Sequence, residues 1–411
     1  MREKLIGSIK SGMIGDFVYK LMANVLTTVF RNLLVLPVLA SIFSLTEYGN
    51  LITAIGVITT IAAGLGNSLL STRLVMDADY RKENIEGDFN SICIGVSFVS
   101  VPFVILIHFM FPNFDFFQLV LVGVILFAET FVGYHSGWFI LRQEYRRLLV
   151  YTVIGGAGYI VGLLLAKVTG YWSFAYLICD MVSMSFLIKY SPLVKEMYGF
   201  TKKRKKMLGK YMILIITTII ANAISYLDRL FLYPVIGSDA VSVYTTASIF
   251  GKVFSLISLP VSSILLGYYA AERLKLDVKK YWTVNIATLS VLAIFIILTQ
   301  IFGIWFTGLL YPSIIEQAKP YIMIANISSA IAASAQITRS AALKYAKIYW
   351  VMIIQVIYAS TYLGFGYLGL MSDGLRGFSY AVLAANIIQI LVLYIVCHIS
   401  LSKTQENKLT R

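Results

Sequence analysis

The sequence predicts an all-α polytopic membrane protein with twelve transmembrane helices in two six-helix bundles, related by a pseudo-two-fold axis along the membrane normal. Three observations predict it. The first is composition: of 411 residues, 59% are hydrophobic and only 13% charged, far more apolar surface than a soluble domain of this size needs to bury. The second is a series of twelve apolar segments, at 14–39, 50–70, 90–111, 116–140, 148–167, 171–190, 211–235, 241–269, 282–306, 321–341, 349–370 and 377–400. Each is close to the roughly 20 residues that cross a bilayer at about 1.5 Å per residue. The third is the distribution of Lys and Arg. Alternate connections hold 27 of the 34 basic residues, the opposite set holds only Lys167, Lys319 and Arg376, and Lys20, Arg31, Arg229 and Lys252 lie inside segments. Such a bias places both termini in the cytoplasm and supports an even number of spans. It also explains the net charge of +14 without nucleic acid.

The start MREKLIGSIK carries positive charge as a signal peptide does. The apolar run behind it is too long and lacks a small-residue cleavage pattern, so it is read as part of the mature chain. That run, Ile14–Leu39, is the first span, and it contains Asp16, Lys20 and Arg31. At about 100° per residue Asp16, Lys20, Asn24, Thr27 and Arg31 fall within an arc of about 80°. Charges kept inside a span face a bundle interior or a water-filled cavity. Asp16 and Lys20, four residues apart, can instead pair with each other. Arg31 has no acid one turn away on its own helix.

Glu129 in the fourth span and Asp180 in the sixth are acids in apolar surroundings, suited either to a coupling ion or to pairing with a cavity base. His135 is undecided. The cluster Thr201–Met207, TKKRKKM, divides the chain into an N-terminal bundle, 1–200, and a C-terminal bundle, 201–411. Such a cluster can recruit anionic lipid, or simply obey the positive-inside bias.

The seventh span repeats the character of the first. Thr218, Asn222, Ser225 and Arg229 share a narrow stripe at helical spacing, while Asp228 points elsewhere. The eighth adds Lys252, flanked by Thr245, Ser248 and Ser255. Arg31-Asn32 before Pro37 in the first half is echoed by Asp228-Arg229 before Pro234 in the second, a parallel repeat of the kind transporters use. Connections on the less basic side are no longer than about 14 residues, which leaves no room for a catalytic domain. Cys93, Cys179 and Cys397 lie in apolar segments, too far apart in sequence for a metal site or disulfide framework, and no enzymatic function, metal or cofactor is expected.

These features resemble the multidrug/oligosaccharidyl-lipid/polysaccharide exporter superfamily. The run Ser44-Leu45-Thr46-Glu47-Tyr48-Gly49 is similar to a turn of its polysaccharide-transporter, or O-antigen flippase, branch, and Tyr244 in AVSVYTTASIF resembles the matching turn of the second half, with Ser242 in place of a glycine. The resemblance implies bundles that alternate between inward-open and outward-open states in a bacterial inner membrane. It implies translocation of undecaprenyl-diphosphate-linked oligosaccharide for O-antigen, lipopolysaccharide or capsule synthesis. A basic central cavity would compensate the diphosphate through Arg31, Arg229 and Lys252, with Lys20, Asn24 and Asn222 as further contacts. Asp180, Glu129, Asp228 and Asp16 are then the candidates for coupling to H+ or Na+. Membrane lipids are expected partners, and a polysaccharide polymerase with its chain-length machinery would act next. The alternatives are a cation-coupled drug antiporter of the same superfamily, a peptidoglycan-precursor flippase with two further spans, and, less well matched, a membrane glycosyltransferase or polymerase.

Overall fold

The computed structural model describes residues 15, 18–82, 87–270 and 276–409, so Asp16 and the N-terminal basic tail lie outside the described residues. Every regular element described is helical. Among the described residues, eleven continuous helices are long and apolar enough to cross a membrane. The last of them, Tyr349–Lys403, has 55 residues. A straight helix of that length would extend about 80 Å, more than twice the hydrocarbon core. It does not run straight. Asp373 (φ −148°, ψ 33°) and Gly374 (φ 53°, ψ −137°) leave the helical region. Beyond them the chain folds back, so that a Cβ on Gly369 would stand 2.4 Å from the Gly377 carbonyl oxygen. This helix is therefore two spans, and the expected twelve are present.

The first span, Val18–Ile42, is not uniform. Pro37 has no N–H to donate, and its ring clashes with the carbonyl four residues earlier in a regular helix. The chain widens into a π-helical stretch, Val29–Val35, with the Leu36 N–H bonded to the Arg31 carbonyl five residues back. The span ends at Phe43, which is extended. The second span, Leu45–Asp77, begins with a reciprocal cap. Ser44 Oγ accepts from the Glu47 N–H at 3.3 Å, and Glu47 Oε2 accepts from the Ser44 N–H at 2.9 Å. The run Ser44–Gly49 singled out in the sequence is thus a capping box followed by a buried Tyr48.

Gly49 stands where no side chain fits. A Cβ there would lie 2.0 Å from the Ser238 carbonyl oxygen, a backbone atom that cannot swing aside. Gly49→Ala is expected to destabilise by about 1–3 kcal/mol through overpacking, read as a lower melting temperature of the detergent-purified protein. An unchanged melting point would mean that this approach does not hold the two segments together.

The chain forms two compact units, Met1–Ser238 and Asp239–Arg411. The halves 1–200 and 201–411 expected from the linker are a different division, one that follows the repeat, whereas the packing assigns the seventh span to the first unit. That span, Arg204–Ser225 followed by Leu227–Ile236, is held there by the second span. Tyr211 donates to the Leu65 carbonyl at 2.9 Å and Ser68 to the Leu214 carbonyl at 3.0 Å. Ile219 packs on the bare Gly64 and Tyr226 on Gly56. The fifth span, Tyr145–Thr169, meets the sixth, Ser173–Tyr190, through Gly158 and Gly162. This small-xxx-small spacing lets helix backbones approach where lipid offers no hydrophobic drive to associate.

The connection between sixth and seventh spans is clamped to the helix ends beside it. Arg73 donates both Nη atoms to Glu196, at 3.0 and 2.8 Å, and its Nε to Asp77 at 3.1 Å. Asp88 accepts from the Thr201 N–H and the Tyr80 hydroxyl, each at 2.7 Å, and Asn90 donates to the carbonyls of Leu193 and Glu196. Only 6% of the Arg73 side chain and 16% of that of Glu196 are exposed. Removing one partner of such a buried pair costs about 3–5 kcal/mol. Arg73→Ala is therefore expected to lower the melting temperature far more than Arg147→Ala, which breaks a pair with Glu144 at 2.7 Å whose arginine is 60% exposed. Equal effects would contradict that ranking.

In the second unit the tenth span, Ile315–Tyr345, carries a face of Ala and Ser that other helices press against. Asn326 Oδ1 accepts from the Gly251 N–H at 2.6 Å, Asn386 donates to the Ser328 hydroxyl at 2.8 Å, and Thr338 donates to Asn285 at 2.7 Å. Buried side-chain hydrogen bonds thus tie the tenth span to the eighth, ninth and twelfth.

Candidate functional site

Inside the first unit is a cavity of about 280 Å³ in which charged residues of three spans meet. The first contributes Thr27, Phe30 and Arg31; the second Thr59, Ala63 and Asn67; the fourth Glu129, Val132 and Gly133. The fifth adds Tyr151, Thr152, Gly155, Gly156 and Tyr159, the sixth Cys179, Asp180 and Ser183, and the seventh Asn222. Room for it comes partly from Gly155 and Gly156. A Cβ on Gly156 would stand 2.4 Å from the Phe30 ring.

Arg31 organises the polar groups. Its Nη2 donates to Thr59 Oγ1 at 2.5 Å, and its guanidinium lies 5.8 Å from the centre of the Tyr176 ring. Thr59 and Glu129 line the same cavity. Asp180 feels both the Glu129 charge and the Arg31 charge. The widened turn of the first span begins two residues before Arg31, and π-turns of this kind recur at functional positions. Among the lining residues the charged ones are Arg31, Glu129 and Asp180, one base against two acids. A network of this composition can hold a proton or a monovalent cation. The volume lies just below the 300–1,000 Å³ typical of drug-sized ligand pockets and admits about nine waters.

Four of the residues singled out in the sequence, Arg31, Glu129, Asp180 and Asn222, thus come together. Asn222 donates to the Thr218 carbonyl at 2.9 Å while lining the cavity. The others lie elsewhere. Lys20 and Asn24 are exposed, with Lys20 Nζ 5.6 Å from the centre of the Tyr145 ring. Asp16 lies outside the described residues. Arg229 does not share the cavity with Asn222. The stripe joining them assumes an unbroken helix, and the seventh span breaks at Tyr226 (φ −110°, ψ 16°). Arg229 is instead buried against the second span, donating Nη1 to the Ile52 carbonyl at 3.2 Å, with its Nε lacking a partner among the described residues. Asp228 caps the segment after the break by accepting from the Arg229 N–H at 2.9 Å. Lys252 is half-buried in the second unit. His135 is a packing residue, bonded through Nδ1 to the Phe131 carbonyl at 3.0 Å and enclosed by aromatic rings.

Sequence reasoning missed the neutral half of the cavity. Tyr151, Gly155 and Tyr159 recur every four residues along the fifth span, and Thr59, Ala63 and Asn67 do so along the second. Both are readable stripes once polar and small residues are counted together.

No protein-family model matches the chain, and no curated protein matches it in sequence. Solved structures do. An inward-facing multidrug resistance MATE family transporter of the MOP superfamily superposes with a TM-score of 0.67 at 15% identity, over 94% of this chain and 96% of that one. An outward-facing structure of such a transporter gives 0.65 at 12% identity, over 94% of each chain. The lipid II flippase MurJ, in an inward closed conformation, gives 0.67 at 15% identity, over 93% of this chain and 86% of that one. At these identities the likeness speaks for the fold: the chain has the all-helical fold of MATE transporters and of MurJ.

Proposed function

We propose that the chain is an alternating-access transporter of a bacterial cytoplasmic membrane. Its cargo is a polyprenyl-diphosphate-linked oligosaccharide, and movement is coupled to H+ or Na+ through the Arg31–Glu129–Asp180 cavity. The observation that carries this reading is the meeting of one arginine and two acids inside a membrane-embedded unit whose fold is shared with transporters, one of them a lipid flippase. Buried charges in a span are costly and persist where they move ions or substrates.

The cavity is too small for a lipid-linked saccharide, so Arg31 serves the coupling network and not the cargo's phosphates. For those we assign Arg229 within the first unit and, separately, Lys252 within the second. An arginine fork matches phosphate oxygens, and the buried Nε of Arg229 has a donor to offer. The oligosaccharide would then pass to a polymerase and chain-length machinery on the far side. A second reading, a cation-coupled antiporter of small cationic compounds, is favoured by the excess of acid in the cavity.

Deleting the gene separates the two. Undecaprenyl-linked oligosaccharide accumulating on the cytoplasmic side supports the flippase. Unchanged lipid intermediates together with new sensitivity to cationic drugs would replace it with the antiporter.

A further inference from the structure

The linker between the sixth and seventh spans has a charge arrangement that transport through the cavity does not use. Its residues 189–206 contain seven basic side chains and one acid, Glu196. That acid is turned inward and spent on Arg73. The neighbouring acid at the start of the third span, Asp88–Met110, is likewise buried and occupied by Thr201 and Tyr80. What remains outward is positive: Lys202, Arg204, Lys205 and Lys206 are all exposed. Beside them stand bulky apolar side chains that the fold leaves uncovered, Met197 at 74%, Tyr198 at 56% and Phe200 at 64% exposure. Arg204 lies over the Phe200 ring, 4.6 Å from its centre, which joins the two kinds of group into one surface.

A solvated linker has no need of three such side chains in the open, nor of a clamp that holds it in place. A membrane surface suits both: apolar side chains enter the headgroup boundary and cations meet lipid phosphates. We propose that this clamped segment is a docking surface for anionic phospholipid in the leaflet it faces. The Arg73–Glu196 and Asp88–Thr201 contacts preorganise it. The proposal is independent of the cargo.

Native mass spectrometry of the full chain in detergent, offered equal phosphatidylglycerol and phosphatidylcholine, tests it. Each Lys or Arg near an anionic surface contributes about fivefold in affinity. Lys202→Gln, Arg204→Gln, Lys205→Gln and Lys206→Gln combined are therefore expected to lower phosphatidylglycerol retention at least tenfold, without altering phosphatidylcholine retention or the melting temperature. Lys279→Gln with Lys280→Gln, in another basic connection, is expected to leave retention unchanged. Equal retention of the two lipids by the parent, or undiminished phosphatidylglycerol on the fourfold variant, would overturn the proposal. So would displacement of the lipid by millimolar inorganic phosphate, which would make the surface a small-anion site.

Discussion

Arg31→Ala is expected to reduce transport at least a hundredfold while the protein still inserts with twelve spans. The guanidinium is the base among the charged groups that line the cavity, and it bonds the Thr59 hydroxyl. Its loss leaves two carboxylates in a low-dielectric site without compensation. Charges inside a membrane span are costly unless the cavity they face balances them, so the expected effect is large. The cavity then lacks the balance of charge through which it is proposed to respond to a gradient. Arg31→Lys keeps the charge but loses the planar fork, and is expected to recover activity only in part. Measurement pairs a transport assay with cysteine accessibility to check topology. Full transport by Arg31→Ala would remove the coupling role assigned to this cavity.

Glu129→Gln and Asp180→Asn carry the second large effect. Both keep the shape of the side chain and remove its charge. Each is expected to abolish gradient-driven transport while leaving substrate binding intact, because Arg31 then faces one carboxylate and the cavity no longer carries the surplus negative charge that takes up a cation. Equilibrium exchange should also lose its dependence on pH in the variant that removes the titrating acid. Neutralisation from both sides should cancel in part: Arg31→Ala with Glu129→Gln is expected to be more stable than Arg31→Ala alone. Additive destabilisation in that double-mutant cycle would mean that the two residues do not act on one another.

Much of this architecture is legible in the residues, and for identifiable reasons. A span must satisfy its backbone internally and remain apolar for about 20 residues, so hydropathy marks all twelve. Arg31, Glu129 and Asp180 stand out because a charge inside such a run is rare. Their convergence is not legible. Spacing assigns a residue to a face of its own helix and is silent about which helices meet. Arg229 shows the limit from the other side. Its angular kinship with Asn222 holds only along an unbroken helix, and Tyr226 interrupts it. Pro37 and Pro234 are visible in the sequence, yet one widens its helix into a π-turn and the other follows a break eight residues earlier. Tyr151, Gly155 and Tyr159 escape notice because glycine and tyrosine are ordinary in membrane helices, and only the cavity unites them.

We propose that ion movement through the Arg31–Glu129–Asp180 cavity drives a diphosphate-linked saccharide across the membrane. Purified protein in liposomes, given labelled polyprenyl-diphosphate-linked oligosaccharide and an imposed proton or Na+ gradient, tests it most directly. The expected result is movement of the headgroup to the opposite leaflet under one of these gradients, lost in Glu129→Gln. Headgroups that stay in their original leaflet under both gradients, while a cationic dye is exchanged, would contradict it.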